Sequence, residues 1–375
     1  MNGNLSLVMT GGGARAAYQV GLLRVLARHF PELEIPILTS VSAGAINAAH
    51  LANHSGTLTE ATRDLAQLWR DVRTETVFDA DVRGLMFNFA KWGLRLGSGS
   101  SGLKSGGLVD TSPLHTFLSD HLGGPDDPMG HVEAKIRSGR LKAFAVTATN
   151  YGTGQTITWV QGRNLDGWQR PNRRGVCEPI GIDHVMASAA LPLFFPAIKV
   201  GGGWFGDGGI RLMTPLSPSI KLGAERILAI STRYSRTFEE ADRSAIHDYP
   251  APAQVVGVLM NAVFLDALDQ DAIMLERINT LIKDQPEEKR GGFRPVKLMV
   301  VRPSQDLSRL AAEYETTQPR MVRFLMRGLG TRESESPDWL SMVLFEPAYI
   351  ERMMEIGEAD AEARIDELAE FLNGD

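Results

Sequence analysis

Cysteine is nearly absent: Cys177 is the only one in 375 residues. An internal disulfide framework is therefore excluded, as is any zinc site built on paired thiolates. No turn that would expose a nucleophile surrounds Cys177, so it reads as an ordinary thiol. Cations are not in excess either. The formal net charge is −6 and the sequence pI about 5.8, which argues against nucleic acid as a partner. No window approaches about 18 uninterrupted apolar residues, so no membrane-crossing helix is expected. The first residues, Met1 to Thr10, lack the basic and long apolar regions of a signal peptide. These absences leave a cytoplasmic protein as the expectation, with peripheral contact to a membrane open.

What is present is an ordinary globular composition, 43% hydrophobic and 22% charged, with ample length for a large core. The most informative stretch runs from Ile37 to Leu51. A short apolar run ends in Thr39-Ser40-Val41, Ser42 follows, and small helix formers begin at Ala43-Gly44-Ala45. This is strand, sharp turn and helix with a serine at the turn, as a nucleophile elbow requires. The residues two before and two after such a serine must be small; here they are Ser40 and Gly44. If Ser40 were the nucleophile, Leu38 would fill a crowded position, so Ser42 is the candidate. The plain alternative is a serine capping a helix behind a buried strand.

Leu5 to Thr10 reads as a first buried strand. It enters Gly11-Gly12-Gly13-Ala14-Arg15-Ala16 and a helix with apolar Val20, Leu23, Leu26 and Ala27. Bare backbone N–H groups in such a turn can hold a phosphate or an oxyanion. The dinucleotide reading needs an acid closing the second strand. Glu32 and Glu34 precede that strand, so Gly11, Gly12 and Gly13 read better as an oxyanion hole. A turn that merely packs helix on strand is the plain alternative.

Residues 57 to 72 read as a capped amphipathic helix. Gly84 to Leu96 mixes Phe87, Phe89 and Trp92 with Lys91 and Arg95, then enters a loop over 97–107 rich in glycine and serine. This reads as a core helix and a flexible loop, with an interfacial lid as the competing view. Lys142 to Asn150 reads as a strand and Thr156 to Val160 as a hairpin arm. Val185 to Ala190 reads as a helix, and Pro192 and Pro196 as fixing an extended segment. Gly206-Asp207-Gly208-Gly209 then presents one carboxylate in a tight turn. Glycines there would remove bulk and allow positive φ, letting a general base approach its serine; Asp-Gly is equally a common turn pair. Asp183 and Asp266 sit in less constrained settings.

Glu225 to Ser231 and Val296 to Val301 are further strands, Pro252 to Ile282 is helical, and the tail from Pro347 to Leu372 is one or two helices with a solvated acidic face. Of the eight histidines, only His247 follows Asp207, and it lies in a polar segment; His50 sits about two turns beyond Ser42. A serine plus an aspartate therefore fits better than a triad.

Together these pieces resemble the patatin-like phospholipase family. The resemblance rests on Gly11-Gly12-Gly13-Ala14-Arg15, Ser40-x-Ser42-x-Gly44, Ala187-Ser188-Ala189-Ala190-Leu191-Pro192 and Asp207-Gly208-Gly209, in that order, and is densest over residues 5 to 235. It implies an α/β fold: a three-layer α/β/α sandwich with a mainly parallel central sheet, plus C-terminal helices. It implies a Ser42–Asp207 dyad, an oxyanion hole at Gly11, Gly12 and Gly13 supported by Arg15, and elbow and turn support from Ser40, Gly44, Gly208 and Gly209. It implies hydrolysis of a phospholipid or other fatty-acyl ester, calcium-independent, with no cofactor and no metal. Residues 1–303 would form the catalytic domain and 304–375 a helical extension packed on it. Ser40 in place of the usual elbow glycine and Ala16 in place of a later one are the departures; neither removes a reacting group. An acyltransferase with the same serine, or a non-catalytic lipid- or dinucleotide-binding protein, are the competing functions.

Overall fold

The structure, a computed structural model, describes residues 4–79, 107–123, 129–242, 252–264, 266–314 and 338–374. The expected aromatic helix and loop over 84–107 fall, apart from Gly107, outside the described residues, as does His247.

Among the described residues ten strands form one sheet: β1 Leu5–Met9, β2 Ile37–Val41, β3 Ala143–Asn150, β4 Thr156–Gly162, β5 Trp168–Arg170, β6 Arg173–Cys177, β7 Ile198–Val200, β8 Gly203–Asp207, β9 Arg226–Ile230 and β10 Lys297–Val301. The run β10-β9-β1-β2-β3 is parallel throughout. Beyond it β4 pairs antiparallel with β3, as a hairpin arm should. The strands β5 to β8 were not evident in sequence, because they are short and mostly half-exposed.

Alternation along the strands feeds two apolar layers. Leu7 and Met9 of β1, Phe144 and Val146 of β3, and Leu228 and Ile230 of β9 face one layer. That layer holds helices α1 Ala17–His29, α2 Gly44–Asn53 and α3 Leu58–Asp71. Val8, Ala145, Ile227 and Ala229 face the other, with the helix Ser217–Lys221 nearby. The mainly parallel sheet is thus flanked by helices on both faces, as expected. A capping box starts α3: Glu60 N–H donates to Thr57 Oγ1 (3.2 Å) and Thr57 N–H to Glu60 Oε2 (2.8 Å).

Several expectations change. Pro252–Ile282 is two helices, α5 Pro252–Phe264 and α6 Ala267–Ile282, where α4 is Ile182–Ser188. Asp266, a weak helix former, stands at the break with its carboxylate 3.0 Å from Arg233. The segment after α4 is not extended: Phe195 N–H donates to the Leu191 carbonyl (2.9 Å), closing a turn with Leu193 at φ 69°. The acidic face of α7 (Pro347–Ala363) is not simply solvated. Glu358 pairs with Arg24, Glu362 with Arg28 and His29, and Asp360 is buried, accepting from Ser304 N–H at 2.9 Å. Helix α7 lies on α1 so closely that a Cβ on Gly21 would stand 1.9 Å from the Met354 carbonyl oxygen, and one on Gly357 2.1 Å from that of Tyr18.

The sheet's register positions the site. Strand β2 runs parallel to β3 and its last residue, Val41, stands opposite Thr147. Strand β8 runs antiparallel along the same edge of β3, and its last residue, Asp207, stands opposite Ala148. Two C-terminal strand ends therefore meet at adjacent positions of β3, one delivering Ser42 and the other Asp207.

Candidate active site

Ser42 leaves β2 with φ 57°, in the left-handed region that a residue bearing a Cβ rarely occupies. Small neighbours make room for it. A Cβ on Gly11 would fall 2.6 Å from Ser42 Cβ, and one on Gly44 would fall 2.5 Å from the carbonyl oxygens of Met9 and Thr10. Ser40 introduces no clash of this kind. It is an ordinary buried strand residue whose hydroxyl donates to the Ala145 carbonyl at 3.0 Å.

Asp207 is fully buried. Its Oδ2 accepts from Ser42 Oγ at 2.6 Å and its Oδ1 from Gly209 N–H at 2.8 Å. The expected tight turn is instead a strand end followed by the short 3-10 helix Gly208–Ile210. Gly206, Gly208 and Gly209 are not among the positive-φ residues. They are glycine because of crowding: a Cβ on Gly208 would sit 2.1 Å from the Thr147 carbonyl oxygen, one on Gly209 2.3 Å from the Phe264 ring, and one on Gly206 2.0 Å from Tyr151 Oη. Burial raises the Asp207 carboxyl to about 7, against the opposing pull of the hydrogen bonds from Ser42 and Gly209. The nearby charge of Asp207 adds to the burial that raises the Tyr151 phenol.

The first glycine turn is built differently. Gly12 and Gly13 have φ 145° and 58°, and both line the same cleft as Ser42 and Asp207. The Arg15 side chain turns away from Ser42. Its Nε donates to Ser341 Oγ (2.6 Å) and its Nη2 to Ser308 Oγ (2.7 Å), tying the turn to two C-terminal helices. Gln19 Nε2 donates to the Thr10 carbonyl (2.9 Å) and Asn47 Nδ2 to that of Ala16 (3.0 Å), so the turn is held at entry and exit. Trp69 Nε1 completes this buried network by donating to Asn47 Oδ1 at 2.7 Å. Gln19 and Asn47 carried no assigned role in sequence; their one signal was an amide on an otherwise apolar helix.

The cleft measures about 700 Å³ with its open mouth. Apart from Ser42, Asp207 and the glycines, its walls are apolar, among them Ile46, Trp69, Leu118, Phe195, Phe264 and Phe345. Among the described residues no histidine lines it. His50 points to the Ala61 carbonyl (3.1 Å), and burial lowers its imidazole to about 4. Asp183 and Asp266 lie elsewhere, against His115 and Arg233. Glu32 and Glu34 precede β2, at the end of the strand remote from the glycine turn, so a ribose-binding carboxylate is not in place there. Among the described residues no group of three His, Cys, Asp or Glu side chains is arranged to hold a metal ion, and no helix is long and apolar enough to cross a membrane.

A family model described as Patatin-like phospholipase matches residues 7–220 of the 375. No curated protein sequence matches closely enough to count as a relative. Among solved structures, human GIVD cytosolic phospholipase A2 in complex with methyl gamma-linolenyl fluorophosphonate is 13% identical. That match covers 100% of this chain and 59% of that one, with a TM-score of 0.47. Another structure of human GIVD cytosolic phospholipase A2 is 12% identical over 99% of this chain and 60% of that one, with a TM-score of 0.48. VipD from Legionella pneumophila is 12% identical over 92% of this chain and 67% of that one, with a TM-score of 0.37. The chain thus spans 59–60% of the length of the phospholipase A2 structures it matches.

Proposed function

Since this chain belongs to the patatin-like phospholipase family, we propose that it is a lipid acyl hydrolase acting through Ser42 and Asp207. The observation that carries the reading is the 2.6 Å hydrogen bond from Ser42 Oγ to the buried Asp207 carboxylate in the wall of an otherwise apolar cleft. The substrate is a fatty-acyl ester such as a phospholipid, its chain lying along the cleft and its ester carbonyl at Ser42.

In this reading Asp207 Oδ2 takes the Ser42 proton as Oγ attacks the ester carbonyl. An Oγ–C bond forms, and the carbonyl electron pair moves onto oxygen. The Gly12 and Gly13 N–H groups, which meet no acceptor among the described residues, hold that oxyanion; one such donor is worth about 3 kcal/mol elsewhere. Gly11 closes the space behind Ser42, and Arg15 braces the turn through Ser308 and Ser341. Collapse breaks the bond to the alcohol oxygen, which receives the proton from Asp207. Water then attacks the acyl-enzyme, giving one proton to Asp207. Cleavage of the acyl–Oγ bond returns that proton to Ser42 and releases the fatty acid.

Residues 1–303 are the catalytic unit in this reading, and the described helices of 304–375 brace it through Ser308 and Ser341. Contact with a lipid surface belongs to the same proposal. It is supported by the exposed Leu193, Val258 and Leu259, which lie on the loop and helix that also supply Phe195 and Phe264 to the cleft.

The test is labelling with an activated fluorophosphonate and peptide mass spectrometry. An adduct on Ser42, lost in Asp207→Asn, is expected. Ester hydrolysis should fall to background in Ser42→Ala and by about 10²–10⁴-fold in Asp207→Asn, with both proteins folded. In the wild type kcat/KM should rise with pH through about 7, where Asp207 ionises. Near-wild-type turnover in either variant overturns the reading.

A further inference from the structure

We propose that Ser188, acting with the carbonyl of Ala190, is the positioning element that sets the distance between Ser42 and Asp207. The inference rests on the Ser-Asp reading above and adds a residue to it. Ser188 ends α4 and is fully buried. Its hydroxyl accepts from the Ser42 N–H at 2.9 Å and donates to the Thr147 carbonyl at 2.6 Å. A hydroxyl has one proton to give, so these two bonds fix its rotor. Two residues on, the Ala190 carbonyl accepts from the Asp207 N–H at 2.9 Å. The Asp207 carbonyl in turn accepts from Thr149 Oγ1 at 2.9 Å. One short segment therefore holds the main chain of both reacting residues, and β3 supplies its counterpart on each side.

Such a brace is needed on physical grounds. Ser42 sits in a strained conformation that persists only where surrounding bonds over-determine it. No strand ladder joins β2 to β8, since each ends against β3 at its own position. The direct link between the two ends is then the Ser42–Asp207 hydrogen bond itself, and the segment around Ser188 is what supports it from behind. The same segment carries Ala189 and Leu191 into the cleft wall, so the brace is continuous with the surface the acyl chain would touch.

Ser188→Ala in the full chain tests this, with Ser188→Cys as a variant of similar size that keeps a weak donor and acceptor. Folding is checked by circular dichroism and Tm. The expected result is full eventual labelling of Ser42 by fluorophosphonate, but at a rate lower by about 10–100-fold, with KM within about twofold of wild type. The acid limb of kcat/KM should move to higher pH, because a looser Ser42 bond no longer opposes the burial of Asp207. The Asp207 carboxyl titration, followed by ¹³C NMR, should move the same way, and Ser188→Cys should fall between. A folded Ser188→Ala protein with unchanged rate and unchanged titration overturns the proposal. So does a loss of labelling sites in step with Tm while the acid limb stays put, which marks a merely structural role. If Ser42 of the wild type takes no label, the hydrolase reading fails separately. The NMR titration then still decides the brace, supporting it if Asp207 moves and overturning it if not.

Discussion

Gly11–Gly13 and Gly206–Gly209 look alike in sequence, each a glycine run beside a strand end, and their backbones are opposite. The first turn has positive φ at Gly12 and Gly13 and close neighbours as well. The second has no positive φ at all and is glycine only because a carbonyl, a ring and a phenol crowd it. A glycine in a sequence does not say which of these demands it answers. The first turn bends the chain along the cleft wall, where the proposed mechanism uses its N–H groups. The second lets a strand end, with its carboxylate, press against β3 and Phe264.

Alanine substitution separates the two demands. Gly13→Ala should cost the most, about 2–5 kcal/mol in urea unfolding. A left-handed alanine is disfavoured by about 1–2 kcal/mol and overpacking adds about 1–3. The added Cβ would lie 1.9 Å from the Met342 carbonyl oxygen, backbone that cannot swing aside. A cost below about 1 kcal/mol would mean that the turn shifts freely, and the comparison would lose its first half.

The second turn alone carries a buried acid, so pH should act there. Asp207 has a folded-state pKa of about 7, raised from 3.8. The folded state therefore binds the extra proton between these values. Its stabilising contribution is complete below about 3.8 and is lost as pH rises toward about 7, at about 1.4 kcal/mol per pH unit. Asp207→Asn removes this loss. The variant should unfold at higher urea than wild type at pH 8, and the advantage should shrink toward pH 4. An advantage that does not change with pH would mean that Asp207 is not held protonated by burial.

Gly208→Ala comes next in stability, about 1–3 kcal/mol, because only overlap and no φ penalty is involved. Its effect on turnover should exceed its effect on folding. The Cβ meets the Thr147 carbonyl oxygen, the same atom that receives the Ser188 hydroxyl, so relief of the clash moves Asp207 off Ser42. A loss of about 10²-fold in kcat is expected from a displacement near 1 Å.

Much of this site was legible in sequence for a physical reason. Ser42 and the first glycine turn are local: a strand, a turn and a helix lie within a dozen residues, and small residues at fixed offsets betray the crowding. The parallel strands β1, β2, β3 and β9 announce themselves as apolar runs because both of their faces are buried, and the edge strand β10 does so with one face buried and the other half-buried. Asp207 was visible only as a carboxylate among glycines. Its meeting with Ser42 depends on β8 joining the edge of β3 one residue past Val41, and a register between segments far apart in the chain leaves no local mark. The same holds for Ser308 and Ser341, each a plain serine until the fold brings its partner, and for Ser188, which sat in a recognisable motif but had no role until its bonds to Ser42 and Thr147 were in place.

Ser40→Gly is the smallest change and bears on both turns, since it would restore the glycine usual at the elbow. The Ser40 hydroxyl donates to the Ala145 carbonyl, a bond worth about 1 kcal/mol net, and glycine within a strand loses about 0.5–1 kcal/mol more in chain entropy. A stability loss of about 1–2 kcal/mol is expected from urea unfolding. Turnover should stay within about twofold, because the bonds that hold Ser42, to Ser188 and to Asp207, do not pass through Ser40. A clear gain in kcat would show that the Ser40 side chain does distort the elbow. Unchanged turnover with lower stability would show that serine serves here as a strand residue, and that steric demand at this elbow falls on Gly11 and Gly44.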